Sequence, residues 1–161
     1  AILARERDVE VFSPSPERPS IPPFEETNVF PVQAPMGPVF AQHYEYRPTA
    51  PLPFMKGDVA AAAGWIREKS SPESLDYPAV VGLLDTFWPT VFATQNAPRP
   101  SATISFTAEF FVDPRELDPN AGFQYYARGI AEHAGYFLEF RELWCGDQLV
   151  AMNQQTFAII K

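Results

Sequence analysis

One segment of the chain is apolar around nearly its whole circumference. Between Ser74 and Asn96 (SLDYPAVVGLLDTFWPTVFATQN), Val80, Leu83, Leu84, Phe87 and Trp88 recur at helical spacing. Ser74 or Asp76 can cap such a helix, and Pro78 suits its first turn. Pro89 should kink or end it, because proline lacks the N–H that the helix ladder needs. A helix that is greasy on all sides cannot lie on a surface and needs cover from the rest of the chain.

The remaining segments read as strands. Val39 to Arg47 alternates and is rich in aromatics. Ala60 to Lys69 carries four alanines that favour helix, but Gly64 interrupts them and Trp65-Ile66-Arg67 reads as strand; we take it as strand. Ser101 to Val112 and Gly122 to His133 follow. Gly135 to Cys145 and Leu149 to Ile160 form a hairpin across Gly146-Asp147. Two strands, one buried helix and four more strands describe an α+β protein. The expected solution is a curved antiparallel sheet wrapped around one long central helix, the hot-dog architecture.

The first third of the chain has a different character. Most of the 18 prolines fall before residue 54. Residues 13 to 38 (SPSPERPSIPPFEETNVFPVQAPMGP) cannot form a central strand or a helix interior. They read as an extended Pro-rich linker or arm, with Phe24 and Phe30 placed to dock on a folded surface. Residues 1 to 12 read as the end of a strand with no partner of its own.

Composition excludes several functions. The net charge of -8 makes a long phosphate backbone an unfavourable partner, so no nucleic acid is expected. No stretch approaches the roughly 20 apolar residues of a membrane span. Cys145 is the only cysteine, which excludes an intrachain disulfide and fits a reducing, cytoplasmic setting.

Four segments carry a family resemblance: Gly64-Trp65-Ile66-Arg67, Gly82 to Asp85 (GLLD), Ala102 to Phe110 (ATISFTAEF) and Gly146 to Gln155 (GDQLVAMNQQ). In this order and at about this spacing they resemble the C-terminal half of the TesB-like acyl-CoA thioesterases, also called thioesterase II. The resemblance covers residues 38 to 161. It implies an enzyme that hydrolyses acyl-CoA with a water held by three residues: an Asp on the central helix, here Asp85; a Thr near the start of the next strand, here Thr103; and a Gln on the last strand, here Gln155. Gln154 is the neighbour that a one-residue slip would substitute, on the opposite face. The family carries two hot-dog repeats per chain. Residues 39–161 correspond to the second, and residues 1–12 resemble the last strand of the first. A partner repeat is therefore expected, from a missing N-terminal half or from another copy.

The chemistry needs no covalent nucleophile, metal or cofactor. Asp85 would act as base, Thr103 and Gln155 would orient the water, and Gly82 would let a substrate approach the helix backbone. Each residue also has a plainer reading. Asp85 could face solvent or pair with an arginine. Thr103 shares strand parity with Ser105, Thr107 and Glu109, a polar face, unless the strand bulges. Gln155 could be an ordinary polar strand residue, and Gly82 could serve close packing. His43 or His133 opposite Asp85 would instead favour a hydratase or dehydratase. A non-catalytic, acyl-binding or pairing half is the third alternative. Trp65, Phe87 and Trp88 are core or tunnel candidates. Arg47, Arg67 and Arg99 are surface residues that could meet the phosphates of coenzyme A.

Overall fold

The computed structural model describes residues 16–32, 34, 37–49 and 51–160, so the strand end expected over residues 1–12 lies outside the described residues. Six strands form one sheet: β1 (Tyr44–Pro48), β2 (Ala61–Glu68), β3 (Ser101–Phe110), β4 (Phe123–His133), β5 (Tyr136–Cys145) and β6 (Gln148–Ile159). Their order is β1-β2-β4-β5-β6-β3, and every neighbouring pair is antiparallel. Among the described residues one α-helix, α1 (Tyr77–Asp85), packs on one face. The arrangement is a hot-dog fold of the α+β class. Register shifts interrupt β3, the β4–β5 ladder and the β5–β6 ladder. Bulges of this kind bend strands, and here they curve the sheet around the helix.

The helix is shorter than the apolar run that encodes it. Asp76 caps its start, accepting a hydrogen bond from the Ala79 N–H at 2.8 Å, with Pro78 in the first turn. It ends at Asp85 instead of running on to Asn96. Pro89 has no N–H to give the Asp85 carbonyl, and its ring would clash there. It adopts an extended ψ of 137°, and Thr90–Ala93 resumes only as a 3-10 turn. The Thr86 hydroxyl closes back on the Gly82 carbonyl, and Tyr46 donates to the Thr86 carbonyl at 3.2 Å.

Val80, Leu83 and Leu84 of α1 are buried against Ala62, Ile66, Phe123, Tyr125, Leu143 and Ala151 of the sheet. Phe87 stacks on Tyr125 with ring centroids 4.3 Å apart. Burying one such leucine contributes about 1.5–3 kcal/mol. The expected strand over Val39 to Arg47 is corrected at its start. Val39–His43 is a 3-10 turn that follows Pro38, with the Ala41 N–H bonded back to the Pro38 carbonyl at 3.1 Å, and ladder pairing begins at Tyr44 opposite Glu68. The choice of strand for Ala60 to Lys69 agrees with β2. Gly64 serves a close approach there: at φ +156° a Cβ would sit 2.4 Å from the Arg47 carbonyl oxygen.

The proline-rich arm crosses the opposite face over β4, β2 and β1 and then turns around the β1 edge, where Phe30 meets Trp88 and Val32 reaches the helix-side core. Phe30 pairs with Tyr46 through a backbone bond of 2.7 Å. Phe24 meets Trp65 edge-on and carries the Arg47 guanidinium over its ring at 4.2 Å. Trp65 donates to the Pro22 carbonyl at 2.9 Å, and Gln124 to that of Pro19 at 2.6 Å. Each is a buried or half-buried donor given an acceptor by a segment that has few N–H groups to trade. Trp65 therefore sits under the arm, not in the core between helix and sheet.

Candidate functional site

Asp85 stands at the C-terminal end of α1 because Pro89 stops the helix there. Its carboxylate is half exposed, at 51%. Gln155 comes from the helix-facing side of β6 and is completely buried. Thr103 reaches the same side through a bulge. Thr103 pairs with Phe157 and Ser105 with Thr156, so Ile104 is an extra residue in β3. The insertion reverses parity. Thr103 shares the helix-facing side with Phe106, which lies opposite Gln155, while Ser105, Thr107 and Glu109 face away.

These three residues, 18 and 52 positions apart in sequence, converge. The Gln155 amide nitrogen donates to Asp85 Oδ1 at 3.1 Å and to Thr103 Oγ1 at 2.9 Å. Gln155 Oε1 is buried and takes no hydrogen bond among the described residues. Gln154 is exposed on the far face, opposite Thr107. Gly82 also lies on α1, but the Tyr44 hydroxyl is 2.8 Å from where its Cβ would be. The glycine makes room for Tyr44, and the expected approach to the helix backbone is filled on that side.

Sequence reasoning missed the layer beneath. Arg141 on β5 is only 1% exposed and donates to Asp85 Oδ1 at 3.0 Å and to the Leu84 carbonyl at 2.9 Å. Its Nε donates to Glu139 Oε1 at 2.6 Å. The other oxygen of Glu139 accepts from the Thr90 N–H and hydroxyl, both at 2.7 Å. Asp85 is thus both half exposed and paired with an arginine. Burial works against the Arg141 cation, but Tyr125, Glu139 and Asp85 outweigh it, and the guanidinium pKa lies above its ordinary value. Burial also pushes the Tyr125 phenol well up, and its hydroxyl is another buried atom without a partner among the described residues. One signal could have exposed this layer: Phe137, Glu139, Arg141 and Leu143 share a strand face, so the two charges had to point inward with the apolar pair.

The other candidates are placed elsewhere. His43 and His133 are exposed, and neither is among the side chains that hydrogen-bond to Asp85. Arg47 and Arg67 both bind Glu45, and Arg47 also holds the arm through the Phe24 and Thr27 carbonyls. Arg99 lines a surface hollow of about 300 Å³ with Lys56, Gln95 and Glu132. Phe87 is core, and Trp88 packs beside it. Cys145 is half-buried, with its thiol pKa raised by burial and by Asp118, which disfavours a nucleophilic thiolate. Among the described residues no group of His, Cys, Asp and Glu is placed to hold a metal ion. No helix there is long and apolar enough to cross a membrane.

Comparison with known proteins supplies the family. The fold is similar to a hot-dog-fold protein of unknown function from Alicyclobacillus acidocaldarius, with a TM-score of 0.83 and 26% identity over 96% of this chain and 59% of that one. It is also similar to a TesB protein of Mycobacterium avium subspecies paratuberculosis, with a TM-score of 0.70 and 14% identity over 93% of this chain and 56% of that one. An acyl-CoA thioesterase II of Mycobacterium marinum gives a TM-score of 0.64 and 18% identity over 94% of this chain and 58% of that one. The chain spans less than two thirds of the length of each. No curated protein matches it in sequence. The model of the acyl-CoA thioesterase C-terminal domain matches residues 16–159, and the chain belongs to that family.

Proposed function

We propose that this chain hydrolyses acyl-CoA thioesters with a water activated by Asp85. The observation that carries the reading is the Gln155 amide, which donates at once to Asp85 and Thr103. With its nitrogen so committed, the buried Gln155 Oε1 is left as an acceptor without a donor. A water donating one hydrogen to Gln155 Oε1 and the other to Asp85 would satisfy it. Asp85 takes the second proton as the water oxygen attacks the thioester carbonyl carbon. The tetrahedral intermediate then expels the thiolate, which recovers a proton, and a free acid and coenzyme A result. Held on rigid elements, the water contributes through position as much as through basicity.

The reading includes a second hot-dog repeat. Strand β3 forms one end of the sheet, Asp85 and Thr103 are exposed beside it, and the chain spans little more than half of the Alicyclobacillus hot-dog protein and of the mycobacterial TesB protein. A partner sheet on that side would close the site and protect the edge. In this reading residues 39–161 form the catalytic repeat, and residues 13–38 are its Pro-rich linker or arm.

The test is release of free thiol from acyl-CoAs of graded chain length by the wild type and by Asp85→Asn. Loss of a general base costs about 10²- to 10⁴-fold. Turnover that survives Asp85→Asn unchanged removes Asp85 from the chemistry. Folded wild type that releases no thiol from any acyl-CoA leaves a pairing or acyl-binding unit.

A further inference from the structure

Asp85 poses a problem of control. It ends a helix, its side chain is half in solvent, and an exposed carboxylate there would ordinarily turn freely between rotamers. Gln155 contributes one hydrogen bond to Oδ1. The second comes from Arg141, a residue that reaches no water and faces no open site.

We propose that Arg141 is a positioning residue for the reaction, fixing the rotamer of Asp85 by pinning Oδ1 and leaving Oδ2 to face the water. Three features of the geometry carry this. The same Nη1 that holds Asp85 Oδ1 also holds the Leu84 carbonyl, so the carboxylate is indexed to the backbone of its own helix end. The guanidinium sits where the helix dipole favours a cation. Its own direction is set from the other side by Glu139, whose second oxygen is held by the N–H and the hydroxyl of Thr90. Thr90 opens the turn after Pro89. One chain of contacts thus ties the two segments flanking Pro89 to a single point on β5, with Asp85 at its open end.

This rests on Asp85 being the base, so the experiment separates the two claims. Thiol-release kcat and KM are measured for Arg141→Lys alone and in an Asp85→Asn background, on the whole chain, with circular dichroism and a thermal melt to confirm folding. Lysine keeps the charge but has no planar fork with which to hold Asp85 and Glu139 together. Arg141→Lys is expected to lower kcat by about 10- to 100-fold, as small misplacements of a reacting group do. KM should stay within about twofold. In the Asp85→Asn background the same change should cost less than about twofold, because the residue it acts through is already gone. Arg141→Lys with wild-type kcat overturns the proposal, and so does an equal loss in both backgrounds. If Asp85→Asn alone keeps wild-type turnover, the base assignment fails first and takes this proposal with it. Should Arg141→Lys not fold, the paired change Arg141→Met with Glu139→Gln replaces the buried ions by neutral groups of similar size and keeps an acceptor for Thr90. It then meets the same kcat and background criteria.

Discussion

On the arm side of the sheet Glu45 sits between Arg47 and Arg67; on the helix side Arg141 sits between Glu139 and Asp85. The groups are the same and their number is the same, with the signs exchanged. The first cluster is partly exposed, at 15% for Glu45 and 36% for Arg67. It works with Phe24, over whose ring both arginines lie, to hold a proline-rich segment that offers carbonyls but few N–H groups. The second cluster is buried except at Asp85. A partly exposed cluster, with Arg47 at 17%, lets water replace a lost member more readily than the fully buried Arg141–Glu139 pair does. Burial is what separates an adhesive from a fixture.

That contrast can be broken by removing one member from each side. Arg141→Met alone should destabilise by about 3–5 kcal/mol, because it leaves Glu139 charged and buried. Urea unfolding of that variant beside Arg141→Met/Glu139→Gln tests the cause, since the double change removes the lone charge, keeps an acceptor for Thr90 and should recover much of the loss. A full loss in the double variant would mean that the arginine acts through packing. Thr103→Val is the milder probe of the helix side, acting through Gln155. It removes the hydroxyl oxygen that receives the Gln155 amide, and kcat should fall by roughly 10-fold with folding unaltered; unchanged kcat would take Thr103 out of the site.

On the arm side Glu45→Gln should cost no more than about 1 kcal/mol. Its clearer readout is faster proteolysis within residues 16–32, and an unaltered cleavage rate would mean that the aromatic contacts hold the arm unaided. The Glu45 carboxyl is desolvated, but the hydrogen bonds and charges of Arg47 and Arg67 prevail and hold its pKa below the ordinary glutamate value. A carboxylate so depressed contributes stability above its unfolded pKa and loses it as pH falls through the folded one. Arm protection should therefore weaken as the solution is taken below the ordinary glutamate range, and proteolysis by an acid protease would follow it.

Much of this was legible in the sequence because the signals are local. Asp76 and Pro78 marked the helix start, alternation marked β3, the Gly146-Asp147 turn marked the β5–β6 hairpin, and proline density marked an arm. What was missed depended on partners. The 3-10 turn over Val39–His43 looked like strand from its alternation, and the backbone bond from Ala41 back to Pro38 that closes it leaves no mark in that pattern. Pro89 was visible, but its effect, a helix of nine residues, needed the packing that lets Thr90–Ala93 turn onto the sheet. Arg141 and Glu139 were readable by parity alone, yet a charged residue in a strand is usually taken for a solvated one. Thr103 was the opposite case: its parity pointed outward, and nothing in Ala-Thr-Ile-Ser, which lacks glycine and proline, announced a bulge.

A β-strand is read in steps of two, like a message with only two letters, and Ile104 is a single inserted character. Everything downstream of it in β3 keeps one frame, and Thr103 upstream keeps the other. The address of the threonine is therefore set by a count. Two homologous chains could carry the same Thr and Gln and differ only in whether that extra residue is present, and an alignment that closes the gap would pair a residue facing the helix with one facing away.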